Sequence, residues 1–198
     1  MKKKNRLLEL QKYLAGKNIT LLGNARSILK KKKGIDKYEI ICRMNRGYPQ
    51  GKENYIGSRT DILFLSTKIN KERIFKGFNP KYVIWMTKSQ GLATKWIKEN
   101  AIKNPGEDWE ELKKQIPNKV TKTGSLIKKY PSTGILTIQF LLKYINFKSL
   151  TIYGFTFFDG TGTWYHRLKK PSWHNGDLEK KIILKWTNEK ENVRIIKE

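Results

Sequence analysis

Two histidines, His166 and His174, fall in one polar, aromatic-rich stretch late in the chain. Histidine titrates near neutrality, so either ring could take a proton as a general base or, once charged, face a departing anion. A lone histidine is more often a plain surface or packed residue; two in one loop, with Glu179 five residues after His174, make a stronger case. Trp164, Tyr165 and Trp173 bracket them and offer flat faces to a sugar or base, although core or lid packing is the commoner use of a tryptophan. With a single cysteine, Cys42, and no compact set of further ligands, no metal is expected.

A second group, Pro131-Ser132-Thr133-Gly134, leads into the apolar run "ILTIQFLLKY". Amides at a helix start attract anions, yet helix capping alone would account for the same residues. Gly23-Asn24, followed by Ser27, could likewise cradle a phosphate or serve as an ordinary βα corner. Asn45 carries both a donor and an acceptor after "IICRM"; it could read a ligand or close the strand with an Asx turn.

The elements that must position these residues can be read from apolar patterning. Nearly continuous β-branched and apolar runs at 18–23, 38–44, 61–66, 81–86, 149–155 and 192–197 predict strands covered on both faces. Helical patterns at 25–33, 90–100, 107–115, 133–144 and 177–186 lie between them, and Leu7, Leu10 and Leu14 give an amphipathic N-terminal helix over 1–16. The alternation predicts one α/β domain over 1–198 with a largely parallel central sheet flanked by helices, and an active-site loop over 157–176. Ligands of such sheets bind at the carboxyl ends of the strands, which selects Gly23-Asn24, Asn45-Arg46 and Gly154-Phe155. Cys42 should be a small buried residue on its strand.

Lys plus Arg number 42 against 17 acidic residues, a net charge of +25. Such a field draws nucleic acid, anionic lipid or phosphorylated substrates alike and does not choose among them. A nucleic-acid-binding module therefore stands as an alternative, with no RNP, KH or zinc-finger pattern to favour it. No run reaches the roughly 20 apolar residues of a membrane span, and Glu9 and Gln11 interrupt the centre a signal peptide would need. The expectation is a cytoplasmic protein.

Taken in order, "LLGNARSIL", "IDKYEIICRMNRG", "IGSRTD", "YPSTGILTIQFLL", "LTIYGF" and "HNGDLE" resemble the sialylmotifs of the eukaryotic-type sialyltransferases, glycosyltransferase family 29. The first three are similar to the long motif, the next two to the short motif, and His174 through Glu179 to the final motif. Trp164-Tyr165-His166 falls where the family has its third motif, so the likeness covers about residues 18–66 and 124–197. It implies a GT-A-like (Rossmann-like) domain that transfers sialic acid, or the related Kdo, from a CMP-sugar with inversion and without metal or cofactor. Its acceptor would be a glycan or lipid-linked saccharide such as a lipopolysaccharide precursor. By carry-over, Asn24 and Asn45 hold CMP, Ser132, Thr133 and Gly134 line the nucleotide pocket, His166 meets the departing phosphate, and His174 is the base. Gly23, Ser27, Gly154 and Phe155 join the donor site, Arg43 and Glu179 support it, and Trp164, Tyr165 and Trp173 are acceptor contacts.

The chain departs from that pattern in places. Ile19 and Phe147 hold the positions of the family's disulfide, Thr156 replaces a glycine, and Arg167 and Leu168 replace an aromatic and an acidic residue. No anchor or stem is recognisable, which suggests a compact bacterial or viral form. The basic surface is then expected to dock peripherally on an anionic membrane at its inner face, with no nucleic-acid partner. An enzyme of the same fold using another nucleotide sugar is the remaining alternative.

Overall fold

A computed structural model describes residues 2–120, 125–158 and 173–196. His166, Trp164, Tyr165, Arg167 and Leu168, and with them most of the expected active-site loop, lie outside the described residues. The chain runs α1 (Lys2–Leu14), β1 (Asn18–Leu22), two 3-10 turns (Arg26–Lys30 and Ile35–Lys37), β2 (Ile40–Met44), α2 (Glu53–Ile56) and β3 (Ile62–Leu65). It continues through α3 (Lys71–Gly77), β4 (Tyr82–Trp85), α4 (Lys95–Asn100), β5 (Ile102–Lys103), α5 (Gly106–Gln115), β6 (Lys119–Val120) and β7 (Leu126–Ile127). The last elements are α6 (Thr133–Tyr144), β8 (Ser149–Tyr153), α7 (Gly176–Asn188) and β9 (Val193–Ile195).

Seven strands form one sheet in the order β5-β4-β3-β2-β1-β8-β9, every pair parallel; β6 and β7 make a small antiparallel ladder. Six strands and the fold class follow the apolar pattern, as does α6 to the residue. Alternate side chains serve the two faces, as the strand period of two requires. Ile19, Leu21, Cys42, Ile62, Phe64 and Ile84 pack with Leu10, Leu112, Ile135 and Ile183 from α1, α5, α6 and α7. Leu63, Leu65, Val83 and Trp85 turn the other way, against Ile74 of α3 and Ile97 of α4. Ile41 meets Ile28, Ile35 and Ile56 on that second face. Ile19 and Phe147 share the first core, where they pack as ordinary apolar residues.

The predicted helix over 25–33 does not form. Ala25 provides no side-chain cap, the turn stops at Lys31, and the lysine run that follows would repel itself along a helix. The pattern over 90–100 shortens to α4 because Thr94, not Gln90, caps it by accepting from the Ile97 amide. Among the described residues no helix is long and apolar enough to cross a membrane.

Candidate active site

Strand β1 begins a series that steps outward to β5, after which the chain returns to place β8 on the other side of β1. This reversal is a topological switch point, where the loops leaving the two strands diverge and open a crevice. The crevice here is tightly made. The Gly23 amide donates to the Tyr153 carbonyl at 2.7 Å and the Ala25 amide to the Gly154 carbonyl at 3.2 Å, extending the β1–β8 pairing past both strands. A Cβ on Gly23 would stand 2.1 Å from the Gly154 oxygen, and Gly154 has φ +68°. Each glycine is therefore required, one by close approach and one by backbone conformation.

A cavity of about 940 Å³ opens from this point along the carboxyl ends of β8, β1, β2, β3 and β4. Asn45 joins three of its walls. Its backbone sits at φ +48°, a region asparagine tolerates better than most residues, and its amide donates to the Phe64 carbonyl at 2.8 Å. Its Oδ1 accepts from the Ser66 amide at 2.8 Å, while Nδ2 donates to Thr133 Oγ1 at 2.9 Å. Asn24 Nδ2 donates to the Met44 carbonyl at 3.1 Å. Both asparagines thus line the cavity, and both spend part of their hydrogen-bonding capacity holding its walls together.

Helix α6 points its start into the same space. Ser132 is the N-cap: its Oγ accepts from the Ile135 amide at 3.3 Å and donates to Glu179 Oε2, and its own amide donates to Glu179 Oε1 at 2.9 Å. Ser132 lines the cavity, and its hydroxyl is engaged there by the cap and by Glu179. Thr133 and Gly134 also line the cavity, and as the first helical residues their amides have no acceptor within the helix. Gly134 is close to Phe155, whose ring would be 2.9 Å from an added Cβ. Phe155 also lies 2.7 Å from the Cβ position of Gly23, so its ring wedges between the switch point and the helix.

Glu179, 2% exposed, lies on α7, and burial pushes its carboxyl up to about 7 against the opposing hydrogen bonds from Ser132. His174 precedes the same helix. Its Nδ1 is 2.8 Å from the Tyr130 carbonyl, which can only accept, so the neutral ring carries its proton on Nδ1 and leaves the Nε2 lone pair available. The Tyr130 amide donates to the Trp173 carbonyl at 2.9 Å, and Lys129 Nζ donates to the His174 carbonyl at 3.3 Å, fixing this ring from both sides of the backbone. Phe158 stacks on the imidazole with centroids 5.2 Å apart. Burial pushes His174 down to about 4; the Lys129 charge acts in the same direction and the Tyr130 carbonyl against it. The ring is therefore neutral at pH 7.

Two predicted residues stand elsewhere. Ser27 is in the first 3-10 turn and does not line the cavity, because that segment forms no helix to aim it. Arg43, 1% exposed, points into the second face, where it donates to Thr60 Oγ1 at 2.9 Å and to the carbonyls of Ile56, Gly57 and Arg59 at 2.6–3.2 Å. It organises the Gly57–Thr60 segment and holds β2 in place, which is a supporting role at a distance.

In the other half of the cavity sequence reasoning singled out no residue, only the segment 67–123 for acceptor recognition; the structure brings there Thr67 after β3, Lys88 and Leu92 after β4, Trp109 on α5, and Tyr130. The strand-end rule applied to β3 and β4 would have found the first three. Leu92, Trp173 and Tyr130 are exposed, at 60%, 46% and 38%, and form an apolar rim. Among the described residues no cluster of three or more His, Cys, Asp or Glu could hold a metal ion.

No protein-family model and no curated protein sequence matches the chain. Its similarity is to solved structures. A mammalian sialyltransferase aligns over 98% of this chain and 78% of its own at 18% identity and a TM-score of 0.60. A mammalian sialyltransferase in complex with Gal-beta-1-3GalNAc-ortho-nitrophenol aligns over 96% and 72% at 20% identity and a TM-score of 0.59. The sialyltransferase CstII from Campylobacter jejuni, in complex with a substrate analogue, cytidine-5'-monophosphate, aligns over 91% and 79% at 11% identity and a TM-score of 0.58. The chain is thus an α/β protein with the fold of the sialyltransferases.

Proposed function

We propose that the protein is a glycosyltransferase that moves sialic acid, or the related Kdo, from its CMP-activated form to a hydroxyl of a saccharide, with inversion at the anomeric carbon. The observation that carries this reading is the meeting of three features in one cavity of a sialyltransferase-like fold. These are the switch point at Gly23 and Gly154, the start of α6, and a neutral histidine with one nitrogen available.

The chemistry then divides among the chain's own groups. The Thr133 and Gly134 amides, at the positive end of the α6 dipole, receive the phosphate and stabilise its growing charge as CMP leaves. This arrangement calls on no metal ion. His174 Nε2 accepts the proton of the acceptor hydroxyl while that oxygen bonds to the anomeric carbon on the face opposite CMP; the Tyr130 carbonyl steadies the resulting imidazolium through Nδ1–H. On this reading the donor would occupy the β1–β8 side of the cavity and the acceptor the side lined by Trp109, Tyr130 and Trp173.

The test is a transfer assay with CMP-sialic acid and CMP-Kdo against a panel of neutral and lipid-linked saccharides, with NMR of the product's anomeric configuration. Inverted product, lost about 10²–10⁴-fold in His174→Ala, is expected. Retained configuration, or full activity in His174→Ala, would remove the assigned mechanism.

A further inference from the structure

We propose that Arg46 recognises the carboxylate of the donor sugar and so restricts this site to acidic sugars, an inference that rests on the CMP-sugar reading above. Arg46 follows Asn45 at the end of β2, is half-buried, and lines the cavity. Among the described residues it has no hydrogen-bonding or acidic partner, whereas Lys88, which also lines the cavity, and Lys129 and Arg43, which do not, are engaged. Lys88 pairs with Glu110, Lys129 donates to the His174 carbonyl, and Arg43 is held by Thr60 and three backbone carbonyls. Glu179 is the one carboxylate among the described lining residues, and both its oxygens accept from Ser132.

A half-buried guanidinium with no counter-ion among the described residues, lining a cavity, is well matched by a bound anion. Its planar fork fits a carboxylate or a phosphate through two parallel hydrogen bonds. Position separates these two sources. The phosphate has a place at the α6 start and the β1–β8 switch point, whereas Arg46 leaves β2, on the far side of β1 from β8. Neighbouring strands lie about 4.8 Å apart. In a CMP-linked ulosonic acid the carboxylate is carried on the same carbon that bonds the phosphate oxygen, so it lies close beside a phosphate at the switch point, and a long side chain leaving the neighbouring strand β2 is the partner proposed for it.

The experiment is calorimetric titration of wild type, Arg46→Ala and Arg46→Lys with CMP, CMP-sialic acid and its methyl ester, with melting temperatures to confirm that all three are folded. Arg46→Ala should bind CMP within about twofold of wild type and CMP-sialic acid about 10- to 100-fold more weakly, while no longer preferring the acid over its ester. Arg46→Lys should fall between, since it keeps the charge and loses the fork. An equal loss for CMP and CMP-sialic acid would assign Arg46 to the phosphate and overturn the proposal; so would unchanged binding of both. A wild-type protein that binds no CMP would instead remove the donor reading itself, and this proposal with it.

Discussion

Replacing Gly23 with alanine adds a single carbon at the point where the donor crevice begins. On the present backbone that carbon would lie 2.1 Å from the Gly154 oxygen, 2.7 Å from the Gly154 carbonyl carbon and 2.7 Å from Phe155 Cδ2. The phenylalanine ring can turn, but the carbonyl is backbone, so the loops leaving β1 and β8 must separate by more than an ångström. Overpacking of this kind costs about 1–3 kcal/mol. In a domain of this size each kcal/mol shifts the midpoint by roughly 2–4 °C, so a fall of about 2–12 °C is expected. Gly106→Ala is the control: it opens α5, with nothing within 4 Å of its Cβ position, and should leave the midpoint within about 2 °C or raise it. The assay is thermal unfolding by circular dichroism with and without CMP. Gly23→Ala should lose stability and also lose any CMP-induced upward shift, because the displaced loops carry the crevice. An unchanged midpoint with a normal CMP shift would refute the claim that the two glycines close on each other here.

Other expectations concern charge and pH. Because the folded Glu179 holds its proton to about pH 7 and an ordinary glutamate releases it near 4.5, wild type loses stability as pH rises through that window. Glu179→Gln should therefore gain on wild type progressively from pH 4.5 to 7, by roughly 2–4 kcal/mol at the upper end, in urea titrations across pH. His174 acts in the opposite sense: depressed to about 4, it costs stability as pH falls from about 6.5 toward 4, and His174→Gln should flatten that slope. Asp108 is fully buried on α5, accepting from Lys143 Nζ and Tyr144 Oη of α6 at 2.9 Å each; Asp108→Ala should cost about 1–3 kcal/mol in chemical unfolding and loosen Trp109 at the cavity. If the net charge of +25 docks the protein on anionic membranes, co-sedimentation with phosphatidylglycerol vesicles should fall steeply between 50 and 300 mM salt, order-of-magnitude concentrations spanning the screening range. Binding indifferent to salt would contradict that docking.

The sheet was legible because its strands are buried on both faces and read as unbroken apolar runs, and α6 was legible because Ser132 caps an apolar stretch free of breakers. Short elements escaped: α2 has four residues and β5 two, too few for any period to register. Gly23, Asn45 and His174 could be picked out by residue type at strand and helix ends, and the structure brings all three to one cavity. What the chain order concealed was pairing across it. The Ser132 hydroxyl turned out to serve Glu179, and the Tyr130 carbonyl to fix the His174 tautomer, through contacts between residues more than forty positions apart. Trp109 was hidden for another reason: a tryptophan on an amphipathic helix looks the same whether it faces the core or a cavity.

Whether the cavity holds a CMP-activated donor is decided by calorimetric titration with CMP, UMP and UDP in the presence of EDTA. The expected result is selective binding of CMP, undiminished by EDTA and weakened by Asn45→Ala, which unties Ser66 and Thr133 from the end of β2. Equal binding of all three nucleotides, or no binding of CMP, would contradict it.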